Sequence, residues 1–347
     1  AAACPCALPI AAPLAQARAA SIAAVSGLRL RNPTAFEALA RPKTAIFDKT
    51  GTLTHGRPIV VDVAPASGWC EAEVLQIAAR AETGIDHPLA RAIVDRHGRE
   101  EGAGGTRLER GAEAQDHAGH RIAVHGIERD DGLTSLAVTL DGFRIGTLAL
   151  ADAPTSDARE TLSRLRALGV ETWIASGDAG GPTLRIADAL GVPHDKVRHG
   201  CTPAGKAELV KTLASPVLFL GDGVNDAPAL AAANCGISVA GAHSAAAQTA
   251  DVVIVRGGIG RLLTGMNLAR STASVTRQNL GLALVYNLAA IPFAIFGVLS
   301  PSLAALAMLA SSLSVALNSL RLTLPPATAP SSAAEVPPAK LSDAPAS

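Results

Sequence analysis

The sequence predicts an α/β protein in which a doubly wound parallel sheet is interrupted by an inserted α+β domain and attached to transmembrane α-helices. Three observations carry this. Short apolar runs at Thr44 to Phe47, Val170 to Ala175 and Pro216 to Leu220 each end in a small polar cluster, the pattern of parallel strands at the sheet edge where a site is built. Between the first two runs, the ninety residues from Arg57 to Gly146 carry helical and hairpin signals of their own. Near the carboxyl end, Leu280 to Leu299 and Ser302 to Leu320 are apolar, free of Asp, Glu, Lys and Arg, and long enough to span a bilayer.

The amino end opens with Cys4-Pro5-Cys6. Residues two apart on a regular helix face nearly opposite ways, so both thiols can serve one ligand only if proline unwinds the backbone. Unwound backbone at membrane depth marks an ion site, and soft thiolates select Cu(I) over its competitors Zn²⁺ and Cd²⁺. The chain has five cysteines, and an odd number argues against a disulfide framework, so Cys70, Cys201 and Cys235 read as structural.

The first apolar run ends in Asp48, followed by Lys49, Thr50, Gly51 and Thr52, which supply a cation, hydroxyls and a flexible turn. A carboxylate so placed can attack a phosphoryl group. The third run leads into Gly221-Asp222-Gly223-Val224-Asn225-Asp226, putting Asp222 at a second strand end where it and Asp48 can share one Mg²⁺. The second run ends in Ser176, Gly177 and Asp178, and Lys206 follows in Thr-Pro-Ala-Gly-Lys. In the inserted stretch, Ala72 to Ala81 reads as a helix and Leu133 to Leu150 as a strand pair turning at Asp141-Gly142. His87 precedes Pro88 at a first helical position, which by itself is compatible with a helix-capping histidine.

Only Ser300 and Pro301 separate the two apolar segments, so a tight transmembrane hairpin is expected. Arg270, Arg277 and Arg321 flank its open ends and place them, with the soluble part, in the cytoplasm. Met308, Ser311 and Ser312 fall on one helical face, and Tyr286-Asn287 lies in the preceding helix. The formal charge of zero gives no nucleic-acid footprint. The expected organisation is a partial transmembrane helix over 1–26, the sheet domain over 27–56 and 147–260, the insert over 57–146, two transmembrane helices over 261–322, and a disordered tail over 323–347.

The string Ile46-Phe-Asp-Lys-Thr-Gly-Thr-Leu-Thr resembles the phosphorylation motif of P-type ATPases, and the resemblance runs to about Leu322. With Cys4-Pro5-Cys6, Tyr286-Asn287 and Met308-x-x-Ser311-Ser312, it is similar to the Cu(I)-exporting heavy-metal subgroup. That resemblance implies a haloacid-dehalogenase-like phosphorylation domain with an inserted nucleotide-binding domain, working on ATP with Mg²⁺ through an aspartyl phosphate on Asp48. It implies Lys49, Thr50, Ser176, Gly177, Asp178 and Lys206 around the phosphoryl group, and Thr50, Asn225 and Asp226 with Asp48 and Asp222 at the magnesium. It also implies Glu82, His87 and Pro88 at the adenine end of ATP, and Cys4, Cys6, Tyr286, Asn287, Met308 and Ser312 as Cu(I) ligands.

Haloacid-dehalogenase-like phosphatases carry an acid/base aspartate where this chain has Thr50, so the acyl phosphate is expected to persist. The family's Gly-x-Gly turn is represented by Gly111-Ala112-Glu113, without its second glycine, and its asparagine has no counterpart near His125 to Asp131. The implied setting is a bacterial inner membrane, with a copper chaperone or other Cu(I) donor as partner. No Thr-Gly-Glu actuator motif occurs, so the chain reads as the carboxyl-terminal part of a pump whose amino-terminal part is a further partner. The alternatives are a Zn/Cd-type pump, a copper supplier for cytochrome oxidase assembly, a membrane-tethered phosphatase, and a non-transporting remnant that binds metal or nucleotide.

Overall fold

The computed structural model describes residues 7–98, 104–108, 111–115, 118–127, 132–222, 224–239, 248–296 and 300–323. Cys4, Pro5 and Cys6, residues 128–131, and residues 324–347 of the expected tail lie outside them.

In chain order, helix α1 (Ala7–Val25), strand β1 (Leu28–Leu30) and helix α2 (Pro33–Ala40) lead to β2 (Thr44–Asp48). Helix α2 starts where the Asn32 side chain accepts the Thr34 N–H at 3.1 Å and Pro33 supplies a preset φ. Every residue of β2 is buried, which is why Ala45, Ile46 and Phe47 follow one another without polar alternation.

A second unit follows: β3 (Ile59–Pro65), α3 (Glu71–Glu82), α4 (Pro88–His97), β4 (Thr106–Leu108), β5 (Gly111–Gln115), β6 (Arg121–Ile127), β7 (Thr134–Leu140) and β8 (Phe143–Ala151). These strands form one antiparallel sheet in the order β3-β8-β7-β6-β5-β4. Its core includes Val74, Ala78 and Ile93 from the helices and Val124, Val138 and Leu148 from the sheet. The Asp141-Gly142 turn joins β7 to β8 with both residues at positive φ, as a two-residue hairpin requires. Strand β8 continues to Ala151, so the sheet of the insert extends past the boundary expected at residue 146.

The chain then re-enters the first unit through α5 (Ala158–Ala167), β9 (Glu171–Ala175), α6 (Gly180–Leu190), β10 (Val197–Arg198), α7 (Pro203–Thr212), β11 (Val217–Gly221), α8 (Ala227–Ala232), β12 (Cys235–Ser238) and β13 (Val252–Ile254). The sheet order is β1-β13-β12-β11-β2-β9-β10, parallel except for β1. From β2 the chain winds outward through β9 and β10, then returns to β11 on the other side. The order thus reverses between β2 and β11, the position where doubly wound sheets open a crevice at their carboxyl edge.

Helix α9 (Arg261–Ile295) and helix α10 (Pro301–Leu320) complete the described elements. At 35 residues α9 is about 52 Å long at the α-helical rise. Its first turns bury Leu262, Met266 and Ala269 in the core of the parallel-sheet unit, and the Arg270 guanidinium donates to the Ala40 carbonyl at the end of α2. Its far end exposes Leu284, Val285, Leu288 and Ile291, while α10 exposes Leu303, Leu306, Leu309, Leu313 and Leu317. Asn279, Asn318 and Ser319 are buried instead. Apolar outside and polar inside is the arrangement that a lipid solvent favours.

Among the described residues, Ser302–Leu320 is the one helix long and apolar enough to cross a membrane. Of the segment expected from Leu280 to Leu299, the part to Ile295 is helical and residues 297–299 lie outside the described residues; the helical part continues a helix that begins in the parallel-sheet unit. Ser300 caps α10 by accepting the Leu303 N–H at 3.3 Å, and Pro301 occupies the first helical position.

Candidate active site

Asp48 ends β2 with extended backbone, and the chain then turns sharply through Lys49–Leu53 with Gly51 at φ +72°. A Cβ on Gly51 would stand 1.9 Å from Asp222 Oδ2, so glycine is required both by the turn and by the approach of β11's loop. Strand β11 brings Asp222 beside Asp48, and the turn before α8 adds Asp226. One oxygen from each of the three carboxylates lies within 4.8 Å of the others.

Lys206 projects into this cluster from the first turn of α7, whose start is set by Thr202 accepting the Gly205 N–H and by Pro203. Its Nζ lies 2.5 Å from Asp48 Oδ1 and 2.7 Å from Asp226 Oδ1, with all three side chains buried. Burial works against the Lys206 charge, but Asp48 and Asp226 outweigh it and raise the pKa, holding the ammonium protonated. Burial and the neighbouring Asp226 push Asp48 up to about 7 against the pull of Lys206. Asp222 is pushed up to about 6, again by burial and Asp226. One ammonium does not compensate three carboxylates in so dry a space, and a cluster of hard oxygen donors with excess negative charge fits Mg²⁺.

A second ionic knot lies on the other side of the turn. Lys49 Nζ contacts Asp178 Oδ2 at 2.6 Å, and the Thr50 hydroxyl donates to the same oxygen at 3.1 Å. Ser176 donates to Asp178 at 3.3 Å and accepts the Asp178 N–H at 3.1 Å. Burial opposes ionisation of Asp178, but the Lys49 charge and these hydrogen bonds overcome it and lower its pKa. The Thr50 and Ser176 hydroxyls are therefore held by Asp178 here, while the Thr52 hydroxyl is buried without a partner among the described residues. Gly177 bends beside the Cys201 carbonyl, and Asn225 is exposed.

His87 faces this knot across a cavity of about 170 Å³ between the two sheet units, lined also by Lys49, Thr50, Pro88, Asp152 and Asp178. His87 caps α4, its Nδ1 accepting the Leu89 N–H at 3.3 Å. Burial, then the charge of Arg107, lowers its pKa and keeps the ring neutral, as that acceptor role requires. Glu82 is buried at the end of α3 and lines a different cleft, of about 540 Å³, between α3 and α4. Burial pushes it up to about 7 despite Arg107. Glu113, where the family turn has glycine, is paired with Arg121 at 2.5 Å.

Asp152 was not anticipated from sequence. It follows β8, and its Oδ2 accepts from the Thr54 hydroxyl at 2.6 Å and the Gly56 N–H at 3.1 Å, clamping the exit of the Asp48 turn to the return strand. It stands just after an apolar strand, the same signal that singles out Asp48 and Asp222.

In the helical part, Ser311 is buried, Asn287, Met308 and Ser312 are half-buried, and Tyr286 is 37% exposed on α9. Of the candidate copper ligands, Cys4 and Cys6 lie outside the described residues.

Comparison with known proteins places this geometry. The haloacid dehalogenase-like hydrolase family matches residues 42–234. The chain is 33% identical to a copper-exporting P-type ATPase of Bacillus subtilis over 92% of its own length and 43% of that protein's. It is 35% identical to a probable copper-exporting P-type ATPase of Archaeoglobus fulgidus over 92% of this chain and 43% of that one. The chain thus spans less than half the length of these curated relatives. A zinc-transporting PIB-type ATPase in its E2.Pi state superposes with a TM-score of 0.73 at 34% identity, covering 92% of this chain and 56% of that one. The catalytic domain of a CPx-ATPase superposes with a TM-score of 0.61 at 27% identity, covering 72% of this chain and 98% of that domain. With Asp48 at the switch point of the parallel sheet, the chain belongs to the haloacid dehalogenase-like hydrolase family, on its P-type ATPase branch.

Proposed function

We propose that this chain is the catalytic and carboxyl-terminal membrane part of a pump that exports Cu(I) from the cytoplasm across a bacterial inner membrane. The observation that carries the reading is Asp48 at the end of β2, held 2.5 Å from Lys206 Nζ and beside Asp222 and Asp226. Ionised Asp48 attacks the γ-phosphorus of ATP. A carboxylate O–P bond forms as the bond to the β,γ-bridging oxygen breaks, and ADP leaves with that electron pair. Lys206 neutralises charge on the transferred phosphoryl oxygens, and Lys49, Thr50, Ser176, Gly177 and Asp178 hold it in line once ATP displaces their mutual contacts.

Asp48 and Asp222, with Asp226, Asn225 and Thr50 in support, would hold Mg²⁺, which would supply neutralisation of the phosphate charge. Glu82, His87 and Pro88 receive the adenine end. Thr50 leaves no acid two residues after the nucleophile, so the aspartyl phosphate persists until another part of the pump directs water to it. Cu(I) is the transported substrate, delivered by a chaperone or other donor and held by Cys4, Cys6, Tyr286, Asn287, Met308 and Ser312. A carboxylate suited to a harder ion is missing from the sequence between Leu299 and Arg321, which favours Cu(I) over Zn²⁺.

The test is incubation with γ-labelled ATP and Mg²⁺ under reducing conditions, with Cu(I), Zn²⁺ or neither, scoring hydroxylamine-sensitive label. Label that disappears in Asp48→Asn and rises with Cu(I) is expected. Label stimulated by Zn²⁺ alone would overturn the choice of metal, and its absence would leave a remnant without catalysis.

A further inference from the structure

The cavity between the parallel-sheet unit and the insert is lined by two carboxylates, Asp152 and Asp178, and by two permanent cations, Lys49 and Arg185. Three of these four have work within the fold. Lys49 Nζ contacts Asp178 at 2.6 Å, and Asp152 accepts from Thr54 and Gly56. Arg185 enters from another direction, the second turn of α6. Pro182, Arg185 and Ile186 are three and four residues apart, so one face of that helix meets the cavity. Apart from Arg185 this face is apolar, and Arg185 is exposed, so its charge stands at the rim where a ligand would enter.

The insert closes on α6 at the same place. Gly132 has φ +69°, and a Cβ there would stand 3.2 Å from both Arg185 Cβ and the Gly181 carbonyl oxygen. Backbone of the insert therefore packs against the aliphatic stem of Arg185, and the residue belongs to the seam between the two units.

Position along a nucleotide follows from the residues proposed for its two ends. Asp48 and Lys206 receive the γ-phosphoryl group, and His87 with Pro88 the adenine end. The cavity holds Lys49, Thr50 and Asp178 from beside the first and His87 and Pro88 from the second. The phosphates behind γ must cross the space between them. Besides Lys49, the cation that the lining offers there is Arg185.

We propose that Arg185 is a nucleotide-binding residue that grips the β-phosphate of ATP, and of ADP once the γ-phosphoryl group has moved to Asp48. The inference rests on the ATP reading above. A guanidinium presents a planar fork of donors and can hold two oxygens of one phosphate. Through it the parallel-sheet unit recognises the diphosphate, while the insert recognises the base.

The experiment uses the full chain in detergent with Mg²⁺, and measures ADP and AMP binding by titration calorimetry alongside thermal unfolding. AMP shares the adenosine and one phosphate of ADP but has no β-phosphate. Wild type binds ADP more tightly than AMP. Arg185→Met keeps an unbranched stem against Gly132 and removes the guanidinium. It lowers ADP affinity about tenfold, the low end for a charge-assisted hydrogen bond because Arg185 is exposed, and leaves AMP affinity within about twofold. The ATP concentration that half-saturates labelling of Asp48 rises by a similar factor. Arg185→Gln, which removes the charge and stays polar, gives the same selective loss and serves should Arg185→Met fail to fold. Equal affinity of wild type for ADP and AMP, or unchanged ADP affinity in the variants, overturns the proposal. So does an equal fall for both nucleotides, which would make Arg185 a packing residue of the seam. Failure of wild type to bind either nucleotide overturns the ATP reading and the inference with it.

Discussion

Replacement of Lys206 by methionine tests the electrostatics of the site directly. The substitution keeps the length of the side chain and removes its charge from a position 2.5 Å from Asp48 and 2.7 Å from Asp226. Those carboxylates have oxygens within 4.8 Å of one another, a separation at which two unit charges repel by about 3–4 kcal/mol at an effective dielectric of about 20. Breaking a buried ion pair from one side costs about 3–5 kcal/mol for the same reason. For a unit of this size that corresponds to a fall of roughly 6–20 °C in melting temperature at alkaline pH.

The loss must shrink on acidification. Asp48 already has its pKa raised by burial and Asp226, so a proton takes over the role of the missing ammonium as pH falls through about 7. Thermal unfolding of wild type and Lys206→Met between about pH 8 and about pH 5, without Mg²⁺, measures both quantities. A deficit that is small at alkaline pH, or that does not change with pH, would refute the claim that Lys206 neutralises this cluster.

Three further outcomes follow from the same geometry. Gly51→Ala places a Cβ 1.9 Å from Asp222 Oδ2 at φ +72°, so it should cost about 1–2 kcal/mol of backbone strain and reduce Mg²⁺-dependent labelling of Asp48 by more than about tenfold, read by phosphoenzyme assay. Mg²⁺ competes with protons at Asp48 and Asp222, which titrate near 7 and 6, so calorimetric Mg²⁺ affinity should fall as pH drops through that range and be largely lost in Asp222→Asn. Thr50→Asp sets a carboxyl group at the position of a phosphatase acid/base. It should shorten the lifetime of the labelled intermediate in a chase with unlabelled ATP, and an undiminished lifetime would count against Thr50 as the reason for persistence.

The local part of the site was legible in sequence because its signals are local. An apolar run too short for a helix, followed by small and polar residues, announces a buried strand with a site at its end, and β2, β9 and β11 formed where the runs lay. The helix at Glu71–Glu82, the Asp141-Gly142 hairpin and the Pro88 helix start were legible for the same reason. The boundary expected at residue 146 falls inside β8, whose pairing with β3 continues to Ala151, and such pairing is set by a strand far away in sequence.

By itself, then, the sequence determined the strand-end aspartates, the class of fold and the apolar length of the helices, all properties of neighbouring residues. Only the tertiary structure decided which polar groups meet. Lys206 bridges Asp48 and Asp226 across 158 and 20 positions, and Asp152 reaches back to Thr54 across 98. Asn279 reads in the sequence as one more polar residue ahead of an apolar segment. Whether such a residue faces lipid, water or two other helices depends on rotation about the helix axis, and that rotation is set by packing between segments far apart in the chain.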